Sequence, residues 1–201
     1  MLKKMFAILF AMMMVLCCLP AAVAETAAAE ETAAAQPLEP TSHILVVYFS
    51  ATGTTKGVAE KLAEGLGADL YEIVPEEPYT DADLNYNDSG SRTSVEMDDP
   101  SCRPAIAGEL PDLAPWDTVL IGYPIWWGDT PRIVSTFVES ADLTGKTLAV
   151  FFTSGSSGLG NSMKHLTEQA GAGTWLEGRR FTAGTAAEEL VQWAASLGIR
   201  P

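Results

Sequence analysis

The chain predicts an α/β domain, a doubly wound parallel sheet with helices on both faces. Three observations carry that prediction. Strand-like and helix-like segments alternate five times between residues 43 and 197. The strand-like runs are continuously apolar and β-branched, as in strands buried on both faces. The helix-like segments place apolar residues three and four apart, so each has one face to bury.

The elements follow in order. Residues 43–49 (HILVVYF) form a buried strand. Residues 56–66 form a helix, with Val58, Leu62 and Leu66 on one face and Gly67 ending it. Residues 69–74 (DLYEIV) are a second strand. Residues 75–115 are polar and rich in Asp, Asn and Pro, and predict a short helix within long loops. Residues 116–123 hold Val119, Leu120 and Ile121 in a third strand. Residues 131–141 are helical, with Pro131 at the first turn. Residues 146–152 (KTLAVFF) are a fourth strand and 162–170 a helix. Residues 174–181 are a weaker fifth strand. Residues 185–197 are an amphipathic helix carrying Leu190, Trp193, Ala194 and Leu197 on one side.

The N-terminus reads as an address. Lys3 and Lys4 precede an apolar run over 6–19, and Ala22-Val23-Ala24 forms an A-x-A cleavage site. Residues 1–24 are therefore expected to be a secretory signal. The run is short for a membrane span, which needs about 20 residues, so no stable span is expected after cleavage. A lipid anchor at Cys17 or Cys18 is the alternative, with Leu16 and Cys17 poor fits for the small residue that should precede it. Residues 25–42 are Ala, Glu, Thr and Pro with no apolar period, and read as a disordered spacer. Residues 43–201 are the folded domain. The expected location is extracytoplasmic, secreted or associated with the cell envelope.

The whole chain has 201 residues, 47% hydrophobic and 19% charged, which suits one domain with its own core. Its net charge is −14, and residues 1–24 hold two bases and no acid. Such a surface repels nucleic acid and anionic membranes. It attracts a partner with a basic docking surface, or serves solubility alone. Cys102 is the one cysteine past the leader, so no disulfide within the mature chain is expected. With no neighbouring His or Lys to activate it, it reads as structural or incidental.

In open α/β sheets, ligands bind beyond the carboxyl ends of the strands. Three loops leave such ends. The first, Ser50-Ala51-Thr52-Gly53-Thr54-Thr55, runs into a helix start, where free N–H groups and a partial positive charge suit a phosphate. It lacks the Gly-Lys-Ser/Thr of a Walker loop and the G-x-G-x-x-G of a dinucleotide site, which leaves a terminal monophosphate. A hydroxyl-rich helix cap is the bland reading. Lys56 either adds charge there or points to solvent.

The second loop is Pro124-Ile125-Trp126-Trp127-Gly128-Asp129. Two adjacent tryptophans make sense as a wall for a flat ring, because offset stacking adds about 0.5–1.5 kcal/mol beyond burial. One is expected to stack and the other to pack beneath the loop; the residues alone do not say which. The third loop runs from Thr153, Ser154 and Gly155 to Gly160 and Asn161, and its glycines let backbone groups reach a ring edge. A flexible linker is the alternative. A phosphate cradle, an aromatic wall and a polar edge together fit flavin mononucleotide (FMN) better than a sugar phosphate or a nucleoside triphosphate.

These motifs, S-x-T-G-x-T at 50–55, Y-P-I-W-W-G at 123–128 and the Gly/Ser loop at 153–160, resemble the flavodoxin family. The resemblance runs from about His43 to the C-terminus. It implies a three-layer sandwich around a five-stranded sheet of order 2-1-3-4-5, of the short-chain type, and non-covalent FMN. Ser50, Thr52, Gly53, Thr54 and Thr55 would hold the phosphate. Pro124, Ile125 and Gly128 with Trp126 or Trp127, and Thr153, Ser154, Gly155 and Gly160, would surround the ring. It implies electron transfer to a redox partner protein, with no catalytic side chain and no metal ligand. His165 reads as a surface helix position. Two features depart from the family pattern: the export signal, and a 75–115 segment long enough to cover the flavin and shape a pocket. A reductase of quinones or similar small acceptors is one alternative. An exported binding module without flavin is another. A phosphoacceptor receiver is excluded because the first strand ends in Tyr48-Phe49-Ser50, not in acids. A low-molecular-weight phosphatase is excluded by the lack of a cysteine in the first loop.

Overall fold

A computed structural model describes residues 41–201. The expected signal, 1–24, and all but the last two residues of the expected spacer lie outside the described residues.

Each strand forms where a β-branched run can be covered from both sides. β1 (Ile44–Tyr48) is wholly buried, as are all but the last residue of β3 (Thr118–Pro124) and all but the first of β4 (Thr147–Thr153). β2 (Asp69–Glu72) lies at one edge. The order is β2-β1-β3-β4-β5 and every pairing is parallel. The order expected from the resemblance is the observed one.

The alternation of side chains along β1 makes two cores. Leu45 and Val47 face α3 (Arg132–Ser140) and α4 (Ser162–Ala170), through Ile133, Phe137 and Leu166. Ile44, Val46 and Tyr48 face α1 (Thr54–Leu66) and α5 (Ala187–Ser196), through Val58, Leu62, Leu66, Leu190 and Trp193. Leu197 packs partly buried against the same core. Burial of an aliphatic side chain stabilises by about 1.5–3 kcal/mol, so these two apolar seams hold the three layers. The short helix expected within 75–115 is α2 (Arg92–Asp98), capped by Ser91, whose hydroxyl accepts from the Ser94 amide. Its segment is clamped to α3 by Arg103, which donates to both Glu139 carboxylate oxygens at 2.6 and 2.7 Å.

The structure refines the expectations at the fifth strand. The expected fifth strand over 174–181 is two pieces, β5 (Thr174–Trp175) and β6 (Arg179–Phe181), both beside β4. Leu148 pairs Trp175 and Phe151 pairs Arg179. The step is three residues on β4 and four opposite, so one extra residue bulges and interrupts the ladder. The first described residues, Thr41 and Ser42, are tied to β2. The Asp69 carboxylate accepts from the Thr41 amide at 2.9 Å, the Ser42 amide at 3.1 Å, the Trp116 indole at 2.7 Å, and the Thr41 hydroxyl. Burial pushes its pKa up, but the bonds from Thr41, Trp116 and Ser42 outweigh burial and hold it below the ordinary value.

Candidate functional site

The carboxyl ends of β1 and β3 open into a cavity of about 430 Å³, within the usual range for small-ligand sites. The first loop contributes Ser50, Ala51, Thr52 and Thr55. The second contributes Pro124, Ile125, Trp126 and Trp127. Leu84, Tyr86 and Thr93, from the segment around α2, form the outer wall.

The first loop turns into α1 through Gly53, whose φ of 82° is left-handed and avoids a Cβ clash with its own backbone. The Ser50 hydroxyl oxygen is buried and has no hydrogen-bond partner. A buried polar group left unpaired costs about 1–3 kcal/mol, and of the unpaired hydroxyls among the described residues this one lines the cavity. Thr52, Gly53 and Thr54 are exposed around it. Thr55 is different: its hydroxyl lies 2.8 Å from that of Thr153, and both are buried. That pair joins α1 to β4 across β3. Lys56 takes the second expected course: it is exposed to solvent, with its ammonium 3.4 Å from Glu72.

The second loop answers which tryptophan is the anchor. Trp126 packs edge-on against Phe49 at 5.4 Å and Tyr79 at 5.3 Å. Tyr79 donates to the buried Glu96 at 2.7 Å, and the Arg92 guanidinium sits 4.1 Å over its ring. Burial, then the Glu96 bond, raise the Tyr79 phenol far above its ordinary pKa, so it remains a donor. Trp127 instead stands 49% exposed. Trp126 and Asp129 exchange backbone bonds at 2.9 and 3.0 Å. Between them Trp127 has φ 48° and Gly128 φ 77°, the signs of a primed hairpin turn. A bulky residue held there is strained by roughly 1 kcal/mol or more.

What holds the turn is a charged foot. Asp129 accepts from the Thr130 amide at 2.8 Å and lies 2.8 Å from His165 Nδ1 and 3.4 Å from Arg132. Buried Arg132 also donates to the Glu96 and Met97 carbonyls at the end of α2. His165 is the surface helix position expected, its side chain 40% exposed on α4, and it also braces the second loop through Asp129.

The third loop stands apart. Thr153 is buried, its hydroxyl on Thr55 and its carbonyl accepting from Ile125 at 2.9 Å. Ser154, Gly155 and Gly160 do not line the cavity. Gly160 instead abuts the second loop, where an added Cβ would lie 2.2 Å from the Gly128 carbonyl oxygen. Gly53, Thr54 and Gly128 also lie outside the lining. Leu84, Tyr86 and Thr93 were not singled out from the sequence; only the length of their segment pointed to them. Cys102 is half-buried and unpaired, and burial with Glu96 and Asp99 nearby raises its thiol pKa, the opposite of activation.

Known proteins place this arrangement. No curated protein matches the chain. A family model described as Flavodoxin matches residues 43–197. A crystallised candidate flavoprotein of Bacteroides eggerthii is 47% identical, with 78% of this chain and 98% of that one covered and a TM-score of 0.74. One of Bacteroides uniformis is likewise 47% identical, covering 76% and 97%, with a TM-score of 0.72. A flavoprotein of Lactobacillus acidophilus, crystallised in complex with FMN, shares the fold at 24% identity over 75% and 97%, with a TM-score of 0.59. The chain belongs to the flavodoxin family.

Proposed function

We propose that this chain binds FMN in the cavity between the first two loops and acts in electron transfer. The observation that carries the reading is the buried, unpartnered Ser50 hydroxyl at a helix start, opposite the indole of Trp127. The donor set fits the group. Ser50, Thr52 and Thr54 offer hydroxyls, and the first turn of α1 offers free amides to a phosphate. Thr55 would contribute its backbone, since its hydroxyl is engaged by Thr153. Trp127 would cover the ring, while Trp126, Phe49 and Tyr79 hold the platform beneath. FMN, when bound, supplies one- and two-electron chemistry. The residues' work is to bind it, exclude water from one side, and surround it with negative charge. Such charge disfavours a reduced anionic ring and lowers the potential.

The leader over 1–24 supports export, and the acidic surface supports a redox partner with a basic face. Among the described residues no helix is long and apolar enough to cross a membrane. A second reading, reduction of small acceptors, is favoured by the wall of Leu84 and Tyr86 over the cavity. Steady-state oxidation of a nicotinamide donor separates the two: rapid turnover supports the reductase, and none supports the carrier.

The decisive measurement is the absorption spectrum of the purified mature protein after incubation with FMN. Flavin bands retained on desalting support the reading; a colourless protein overturns it. Ser50→Ala with Thr52→Ala should weaken FMN by at least about tenfold, equivalent to about 1.4 kcal/mol. Unchanged affinity removes the phosphate assignment.

A further inference from the structure

Four large hydrophobic side chains are exposed among the described residues: Val74, Tyr86, Val95 and Trp127. Three of them converge. Tyr86 (74% exposed), Val95 (56%) and Trp127 (49%) line a second cavity of about 740 Å³ that also reaches Met97. Tyr86 and Trp127 belong to the flavin cavity too. The two spaces therefore share an aromatic wall. Solvent-facing apolar area gathered in one concavity signals an interaction site, where scattered exposed residues do not.

The charge of the second cavity is one-sided. Asp98 and Asp99 line it, and no Lys, Arg or His does. Asp99 is held below its ordinary pKa by bonds from Ser101, so it stays ionised. Arg92 turns away to Glu96 at 2.7 Å and to the Glu77 carbonyl, and Arg103, which helps to lower the Asp99 pKa, is bound to Glu139. Arg132 is spent on the Glu96 and Met97 carbonyls and Asp129. A pyrophosphate or carboxylate would meet the two carboxylates and, among the lining residues, no cationic partner, only neutral donors such as Asn87 and Ser89. A flat cation would meet two aromatic side chains, whose rings attract positive charge, and two carboxylates.

We propose that this second cavity is a binding site for a planar organic cation, seated against Tyr86, Val95 and Trp127 beside the flavin. The proposal rests on the flavin reading only for the word "beside"; the binding itself needs no flavin. The acidic spacer is a poor rival occupant, since residues 25–40 carry Glu25, Glu30, Glu31 and Glu39 and no base.

The test uses the full mature chain and three matched probes: 10-methylacridinium, neutral acridine at pH 8, and acridine-9-carboxylate. Binding is read by fluorescence polarisation, with and without saturating FMN. The cation should bind at least about tenfold more tightly than acridine, and the carboxylate should not bind. Val95→Lys, at an exposed helix position, should weaken the cation by at least about tenfold. Asp98→Asn with Asp99→Asn should erase the preference for the cation over acridine. FMN affinity should be unchanged in both variants. Equal binding of the three probes overturns the proposal. So does cation binding that survives Val95→Lys, which would reflect the acidic surface at large. Displacement of the probe by FMN overturns it as well, because the space would then belong to the flavin. Formation of a dimer that excludes the probe assigns the patch to a second copy and equally overturns it. Failure to bind FMN at all would sink the flavin reading while leaving the probe results intact.

Discussion

The loops after β3 and β4 leave adjacent strands at the same end of the sheet, yet they are built on opposite plans. The loop after β3 is pinned at every corner. Trp126 is wedged between Phe49 and Tyr79, and Asp129 is gripped from three sides. That grip leaves Trp127 exposed in a conformation that bulky residues avoid. The loop after β4 has little of this. Gly155 to Gly158 are exposed, and the loop is held by Leu159 on the core and by the close approach of Gly160 to the Gly128 carbonyl. Strain at one residue is tolerated only where the surroundings over-determine it. The contrast teaches that the aromatic wall is fixed by side chains from several elements, while the Gly/Ser loop stands beside the cavity with few such ties.

Four experiments can break or sharpen that contrast. The largest effect is expected from Arg132→Met. It leaves Asp129 and two helix-end carbonyls short of a buried donor, and should cost about 3–5 kcal/mol in urea unfolding. A loss below about 1 kcal/mol would mean that the second loop does not depend on this foot. Next, Trp126→Ala should cost about 3 kcal/mol. Trp127→Gly should change stability by no more than about 1 kcal/mol, in the stabilising direction, because it relieves a left-handed tryptophan. The same Trp127→Gly should nonetheless impair FMN binding. If the two tryptophans cost the same, the division between anchor and stacker fails.

Gly160→Ala comes third, at about 1–2 kcal/mol, since the added carbon must push the two loops apart. Faster amide exchange confined to the third loop, with the second unmoved, would support the contrast. The smallest effect belongs to the far end of the sheet. Asp69 has a lowered pKa in the fold. Its contribution is complete above the unfolded value of about 3.9 and is lost as pH falls through the folded one. Acid should therefore loosen Thr41 and Ser42 first and leave the cavity loops unchanged. Asp69→Asn should flatten stability against pH in that window.

Much of this was legible in the residues. The β1, β3 and β4 runs and the helices announce themselves, because burial on both faces or on one stripe leaves a local period. The cavity's position followed from the strand ends, and its first two walls from the hydroxyl run and the tryptophan pair. The rest depends on contacts remote in the chain. Nothing local to His165 reveals that it meets Asp129, a residue 36 positions away. Two identical neighbours, Trp126 and Trp127, are told apart only by Phe49, Tyr79 and the turn that Asp129 closes. The break between β5 and β6 is a mismatch of register, which belongs to the pair of strands and not to either alone. Nor does anything local to Thr41 reveal that Asp69 reaches back to it, a bond between segments 28 residues apart.

That last bond has a geometric consequence. Thr41 and Ser42 are clasped where β1 begins, whereas the cavity opens where β1 ends. The two points are about 17 Å apart along a five-residue strand. Whatever precedes Thr41 thus joins the domain at the end opposite its mouth. The clasp works as a strain relief, as on a cable: a pull on the upstream chain is borne by one carboxylate and the first ladder bonds, and is spent before it reaches the ligand loops.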